Sequence, residues 1–555
     1  MAIVQSTLTR YYDYAAQAID WQSVFNWYER QVEKATSTVS KSNKSTRITI
    51  GVAVGVAVLY SLYDRIAHPP RRLRHIPHIN AFTSNRRFII DKWPTAKISR
   101  ELAMPLLKDS SMYVRNEKLG WTVHVCAPDA AKQVFLKLED FPKASQRAVS
   151  GTLLYRLIGV SNILFENGDE WIKHRKLANP AFHRSMPIQL FGETAQQLFT
   201  LLDRTEPDDF TVDVGELFER VTLSVIGRAG FGFDFGSIEN KDSRWKYVYD
   251  TVMNGHRDPL FFFFPILEKH FLWMFPKRQQ IHAMATEFLD MLQQVIEHKR
   301  RYLRETYTSI DSMDDAEKDL LTLMIESELR GEGILTNQEL LNDIGIFFVA
   351  GHDTTSTALT ACCYYLAKYP EFQRRAREEV NRILCPGDVE PLVDILPTNK
   401  QTKEFVYLNQ LIRETLRMNG SVVSLVTPRK TTKDVELANV LIPKDTLVNV
   451  NIYDLHHNPN VWDDPEVFNP DRFAADAEAD QKAGGGMSWV PFSNGGRICI
   501  GQNFSLGEQR VLLACLLRKY EWELPDDSIH KDGLVTSNSN LMFPQNVKIR
   551  FHKRY

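Results

Sequence analysis

The sequence predicts a mainly α-helical fold with small β-sheets, preceded by one N-terminal helix expected to span a membrane once. Three observations predict it. A capping box at Thr336-Asn337-Gln338-Glu339 opens an apolar run that reaches Lys368 and stops at Tyr369-Pro370. A helix of that length extends about 50 Å at about 1.5 Å per residue, enough to cross a whole domain. Helical patterns recur at 405–418 and 504–520, whereas strand-like stretches are short and bounded by turns: 120–126, and 435–451, which reads as short antiparallel strands about a turn at Pro443-Lys444-Asp445.

The chain has 555 residues, no internal repeat and no long low-complexity linker, which favours one large catalytic domain over residues 81–555. A net charge of −2 gives no support for a nucleic-acid partner. The six cysteines, Cys126, Cys362, Cys363, Cys385, Cys499 and Cys515, form no CxxC pair. That argues against a disulfide framework or a zinc site and for a reducing compartment.

Residues 1–47 form a polar, aromatic N-terminal extension with a helical look over 11–33. Asp13, Asp20, Glu29 and Glu33 argue against a mitochondrial transit peptide. Residues 48–63 carry no charge. A span takes roughly 20 residues, about 17 at minimum, so Thr46, Ile66 and Ala67 are needed to complete an anchor over 46–67. The alternative is a buried core helix. Basic residues flank both ends (Lys34, Lys41, Lys44, Arg47 against Arg65, Arg71, Arg72, Arg74), so charge alone does not orient it. A basic, proline-rich linker follows over 68–80.

Residues 120–126 read as a strand, and 141–170 show few regular signals. Trp171 and Arg175 share a helix face by their i,i+4 spacing, whose ordinary meaning is a surface cation–π pair. The aromatic stretches 259–265 and 271–275 are either core packing or a mouth that dips into a membrane. Residues 305–320 look like an exposed connection.

The middle of the long helix reads Ala350-Gly351-His352-Asp353-Thr354-Thr355 in an apolar setting. Unpaired polar groups are costly there. Thr354 either bonds back to the carbonyl four residues earlier, or builds on that bend to open a small polar site. In that site Thr354 donates a hydrogen bond to oxygen and Asp353 relays protons. Ala350 and Gly351 are small enough to leave room, and His352 is read as a non-ligand. Glu414 and Arg417 are an i,i+3 ion pair, whose ordinary meaning is a solvated surface pair. Arg472 follows in Phe468-Asn469-Pro470-Asp471-Arg472-Phe473.

Near the C-terminus lies Phe492-Ser493-Asn494-Gly495-Gly496-Arg497-Ile498-Cys499-Ile500-Gly501. Most single cysteines are small buried hydrophobes. Here, Phe492 offers an aromatic wall, glycine backbone such as Gly495 offers close hydrogen-bond donors, and the following helix points its N-terminus at the sulfur. Those are the needs of a thiolate on haem iron, with Arg497 as a bidentate partner for a haem propionate.

F-x-x-G-x-R-x-C-x-G occurs here without a mismatch and resembles the haem-binding loop of the cytochromes P450. A/G-G-x-D/E-T-T/S at 350–355, E-x-x-R at 414–417 and W-x-x-x-R at 171–175 occur in the order found in that family. The resemblance covers roughly residues 80–555 and looks like a microsomal, fungal member. It implies the P450 fold, haem b (iron-protoporphyrin IX) ligated by Cys499, and O2 as co-substrate. NADPH electrons would arrive through a membrane reductase, with cytochrome b5 as a further partner. It also implies propionate contacts from Trp171, Arg175 and Arg429, and a scaffold of Glu414, Arg417 and Arg472. It places a substrate-covering loop over 141–170 and a pocket that includes Phe347, Ala350, Leu425 and Val426. Asn419-Gly420 departs from the pattern, since many relatives have a proline there. The implied activity is insertion of one oxygen atom into an apolar steroid, fatty acid or xenobiotic. The implied place is the endoplasmic reticulum membrane, with the catalytic domain cytosolic and residues 1–47 lumenal. Docking cations for the reductase would be Lys173, Lys176 and Arg510. Two alternatives remain: an O2-independent isomerase or dehydratase acting on peroxides in the same fold, and a non-enzymatic haem- or sterol-binding membrane protein.

Overall fold

The structure, a computed structural model, describes residue 30 and residues 44–555, apart from 147–149, 184–185, 259, 262–263, 307–317, 330–334, 388–391, 483–486 and 538–540. The helical expectation for 11–33 and most of the connection at 305–320 lie outside the described residues.

Helix α1 (Lys44–Ala67) carries exposed apolar side chains at Ile48, Val52, Val56, Leu59 and Tyr60. Among the described residues, no helix is long and apolar enough to cross a membrane. The charge-free run falls short of a span, and Asp64 in its last turns is taken up by Arg74 at 2.7 Å. Tyr63 stacks on Phe82 with ring centroids 5.7 Å apart, so the end of α1 rests on the domain.

Strands β1 (Met112–Glu117) and β2 (Gly120–Val125) form an antiparallel hairpin. Helices α2 (Leu153–Ile158), α3 (Gly168–His183) and α4 (Ile188–Thr205) follow, then β3 (Asp209–Asp213). Next come α5 (Val214–Val225), α6 (Arg244–His256), α7 (Pro276–Thr306) and α8 (Leu320–Leu329). The long helix is α9 (Asn337–Lys368), and both halves of its capping box form: the Thr336 hydroxyl accepts from Glu339 N and the Glu339 carboxylate accepts from Thr336 N. Helices α10 (Pro370–Leu384) and α11 (Val406–Asn419) lead to β4 (Arg429–Lys430), the hairpin β5 (Val435–Leu437) and β6 (Val440–Ile442), and β7 (Leu447–Val450). Helix α12 (Gln502–Lys519), β8 (Tyr520–Glu523) and β9 (Lys548–Lys553) close the chain.

The expectation of antiparallel strands over 435–451 holds only in part. β5 and β6 pair with each other, but β7 joins the first sheet in the order β1-β2-β7-β4, parallel to β2 and antiparallel to β4. Pattern alone cannot tell a third hairpin strand from one that crosses to another sheet. The second sheet runs β3-β9-β8.

Three large apolar clusters fill most of the interior among the described residues. One joins α4, α5, the C-terminal half of α9, α11 and α12. A second joins α2, α6, α7, α8 and the N-terminal half of α9. A third lies beneath the first sheet. Phe492 packs on the first cluster, Trp171 and Ile500 on the second, and Trp489 on both the first and the third. The cysteine loop therefore sits where the clusters meet.

Candidate active site

The loop is shaped by its glycine and closed by its backbone. Gly495 has φ +69°, and a Cβ there would lie 2.5 Å from the carbonyl oxygen of Phe135, so only glycine fits. The Cys499 N–H donates to Phe492 O at 2.9 Å and the Ile498 N–H to Gly495 O at 3.1 Å. The N–H groups of Gly501 and Gln502, where α12 begins, are directed at the Cys499 sulfur. Burial pushes that thiol up, and these donors and Arg175 pull it back only in part. Cys499 nevertheless has open surface, although protein surrounds it. Both facts fit a sulfur that faces an interior hollow.

Helix α9 has one open face of its own. From Leu340 to Ala367 every residue is buried except Ala350, Gly351 and Thr354, which share one face. The Thr355 hydroxyl is 2.9 Å from the Ser505 hydroxyl, which lashes this part of α9 to the start of α12. The expected opening of the helix is not seen. α9 is unbroken, with the Thr354 hydroxyl donating to Ala350 O at 2.7 Å and the Ser421 hydroxyl donating to Thr354 O at 2.6 Å. A threonine can satisfy its hydroxyl this way without breaking the ladder. Gly351 serves packing more than open room: a Cβ there would come 3.0 Å from the Ile226 side chain. Asp353 is buried on the flank, with His352 Nδ1 at 2.9 Å from its carboxylate.

Four cations gather around the loop. Arg175 Nη1 donates to Ile498 O at 2.9 Å, and Arg497 Nη2 donates to Glu166 O at 2.7 Å. Trp171 stacks on the Arg497 guanidinium at 3.9 Å, so its cation–π partner is Arg497 rather than Arg175. Arg429, fixed in β4, is buried with Nε unpaired, and Nε and Nη1 of Arg497 are also unpaired. Lys143 completes the group, its ammonium held by Leu164 O. Burial lowers Arg429 to about 10. Burial, with Arg429 and Arg175 nearby, lowers Arg497 to about 9. Burial and the three guanidiniums push Lys143 well down. Buried like charges with unpaired N–H groups are costly unless an anion enters among them. The two carboxylates of a haem would meet that requirement, and Cys499 would offer a sulfur to its iron. The residues present therefore fit the group.

Lys143 is missing from the sequence reading, as is Asn167, whose side chain bonds the Lys143 backbone in both directions at 3.0 Å and accepts from Arg497 at 3.3 Å. Neither carries a local signal, because their partners lie more than 20 positions away.

Glu414 and Arg417 form a fully buried pair, Nε to Oε2 at 2.7 Å and Nη2 to Oε1 at 2.9 Å. Arg472 only touches it, at 3.4 Å without hydrogen-bond alignment. Its main carboxylate partner is Glu478, and its other donors go to Asp463 O and Asp464 O. The expected three-residue scaffold is thus a tight pair with a neighbour. Of the expected pocket residues, Ala350 and Val426 are exposed. Leu425 packs on the cluster under the first sheet, and Phe347 is buried against Phe182 with ring centroids 5.5 Å apart.

Several known proteins resemble this chain. An 11-oxo-beta-amyrin 30-oxidase from Medicago truncatula is 29% identical over 464 residues, 79% of this chain and 82% of the relative. Human Cytochrome P450 4F8 is 31% identical over 379 residues, 66% of this chain and 69% of the relative. These are plant and animal proteins, and nothing in them supports the fungal expectation. The crystal structure of the cytochrome P450DA heme domain superposes with a TM-score of 0.70 at 21% identity, covering 86% of this chain and 98% of that one, which shows the fold. The Cytochrome P450 family matches residues 116–551, and the chain belongs to that family.

Proposed function

We propose that the protein is a membrane-attached haem-thiolate monooxygenase that inserts one oxygen atom from O2 into an apolar substrate. The single observation that carries the reading is the set of unpaired buried guanidinium groups near Cys499. Haem b, O2 and electrons from a reductase are the family's equipment, and monooxygenase activity is the family's chemistry. When bound, the haem supplies O2 activation. Cys499 would hold its iron, with Phe492 as the aromatic wall of the loop. Arg175, Arg429, Arg497 and Lys143 would neutralise its propionates. Ala350 would leave space beside the group, Thr354 would offer a hydroxyl there, and Asp353 would help relay protons. Family membership and relatives named as oxidases set aside the non-enzymatic alternative.

The substrate is read as apolar and membrane-partitioning. Relatives named for 11-oxo-beta-amyrin and echinocystic acid add triterpenoids to the steroids, fatty acids and xenobiotics to be tested. The membrane reading rests on the exposed apolar face of α1, the basic linker, and a second exposed apolar set at Leu260, Phe264, Phe271, Trp273 and Met274. We place the domain on the cytosolic side of the endoplasmic reticulum. A glycosylation acceptor engineered into residues 1–30 should be glycosylated, and one that stays bare reverses the topology. NADPH electrons would enter through a reductase, with cytochrome b5 as a further donor. Among the three expected docking cations, Lys176 stands exposed. Lys173 is held by Glu339 at 3.0 Å, and Arg510 lies against Leu506 O and Thr402 O.

The test combines two measurements. The ferrous-carbonyl complex should show the red-shifted Soret band of thiolate ligation, and Cys499→Ala should lose it. A screen of substrate-induced difference spectra against triterpenoids, steroids, fatty acids and aromatics should find binders that NADPH and reductase turn over. Turnover of peroxides alone, with none from NADPH and O2, would replace this reading with the isomerase or dehydratase.

A further inference from the structure

Asn342 and Asp343 stand side by side in the apolar first half of α9, and both are buried, Asp343 completely. Buried polar groups are costly unless they are bonded. Theirs are bonded, and to one segment, residues 161–167 between α2 and α3. Asn342 Nδ2 donates to Ser161 O at 2.9 Å. Asp343 Oδ1 accepts the Ile163 N–H at 2.8 Å. Asp343 Oδ2 bonds Nδ1 of His174 at 2.5 Å, a fully buried residue of α3 beside Arg175. Gly159 precedes the segment with φ +66°, and a Cβ there would lie 2.2 Å from the Asn342 side chain, so this close approach requires glycine.

The segment is a tight turn. Asn162 shapes it, its side-chain carbonyl accepting the Leu164 N–H at 2.9 Å and the Phe165 N–H at 3.0 Å. Beyond the turn it turns acceptors toward the cation cluster. Leu164 O holds the Lys143 ammonium, and Glu166 O accepts from Arg497 Nη2 at 2.7 Å. The Asn167 side chain accepts from Arg497 at 3.3 Å and bonds the Lys143 backbone in both directions. The other two cations are held elsewhere, Arg429 in β4 and Arg175 on Ile498 O. Two of the four cations therefore depend on the segment, and the segment depends on α9. A guanidinium or ammonium binds an anion well only when its N–H groups are aimed, so whatever fixes these acceptors also aims the charges.

We propose that residues 161–167 are a strap, and that Asn342 and Asp343, with His174 behind Asp343, are positioning residues that set Arg497 and Lys143 for the haem propionates. This rests on the haem reading of the cation cluster.

Transfer of haem from the loaded full chain to an excess of a scavenger protein tests it without turnover. Asp343→Ala frees the Ile163 N–H and should speed transfer by about 10- to 100-fold, the usual effect of removing a residue that orients ligands from behind. Asp343→Asn keeps the size and an oxygen for Ile163, and its NH2 suits the other tautomer of His174, so it should release haem nearly as slowly as wild type. Equally fast release from both variants overturns the strap, because the bond to Ile163 would then not matter. A second comparison separates aiming from general support of the fold. Cys499, Arg175 and Arg429 would still hold haem when Lys143→Met and Arg497→Met are combined. In that background the strap has nothing left to aim, and Asp343→Ala should add no more than about twofold, the scatter of independent sites. In an Arg429→Met background it should keep its whole effect. The same factor in both backgrounds overturns the proposal. Should Asp343→Ala fail to fold, Asn342→Ala, which cuts only the Ser161 tie, carries the same comparison. If wild type loads haem without the red-shifted ferrous-carbonyl band, the Cys499 reading fails while transfer still decides the strap. A wild type that takes up no haem defeats both.

Discussion

Arg429 is the most exposed to consequence among single residues, although it is among the least exposed to solvent. Its guanidinium is buried in β4 with Nε unpaired, and burial lowers its pKa to about 10. Arg429→Met should leave the haem-free protein as stable as wild type or more so, because it removes an uncompensated buried charge. It should also weaken haem retention by about 10- to 100-fold, the worth of a charge-assisted hydrogen bond of about 1.5–3 kcal/mol. Transfer of haem to a scavenger protein measures this. Cys499 gives a second prediction with a definite sign. Its thiol is held up by burial and is protonated at neutral pH before ligation. A thiolate ligand must lose that proton, so haem loading should release about one proton per protein, absent in Cys499→Ala. Calorimetry in buffers of different ionisation enthalpy counts it.

Among elements, α11 shows how a buried pair reaches the cysteine loop. Glu414 grips Arg417, and Arg417 Nη1 donates to His456 O at 2.7 Å. The His456 ring, kept neutral by burial, accepts the Val490 N–H at 2.9 Å, two residues before Phe492. Removing the carboxylate leaves a buried arginine unmatched, a cost of about 3–5 kcal/mol. Glu414→Ala should therefore lower the melting temperature sharply and yield protein with little haem. Full haem occupancy in that variant would cut the link between α11 and the loop. The E-x-x-R spacing was legible in sequence because it lies within one helix. The role of Arg472 was not, since Glu478 competes for it through a separate turn.

For the whole molecule, the exposed apolar sets on α1 and around Leu260–Met274 bear on membrane attachment together. Deleting residues 1–67 should convert a detergent-requiring protein into one that binds vesicles weakly and salt-sensitively through Arg71, Arg72 and Arg74. The full chain should stay with membranes in alkaline carbonate. Its release there would make α1 a surface helix instead of an anchor.

By itself, the sequence determined what depends on neighbours along the chain. It yielded the capped long helix, the i,i+3 pair of Glu414 and Arg417, and the motif order that carries the family. Tertiary structure alone decided what depends on distant segments meeting. It sent β7 across to β2, stacked Trp171 on Arg497, added Lys143 and Asn167 to the cation cluster, and set His352 between Glu219 and Asp353. Helix periodicity and backbone sterics act over a few residues and leave a local pattern. Ion pairing and burial act through space, and a sequence records only the groups, not their meeting.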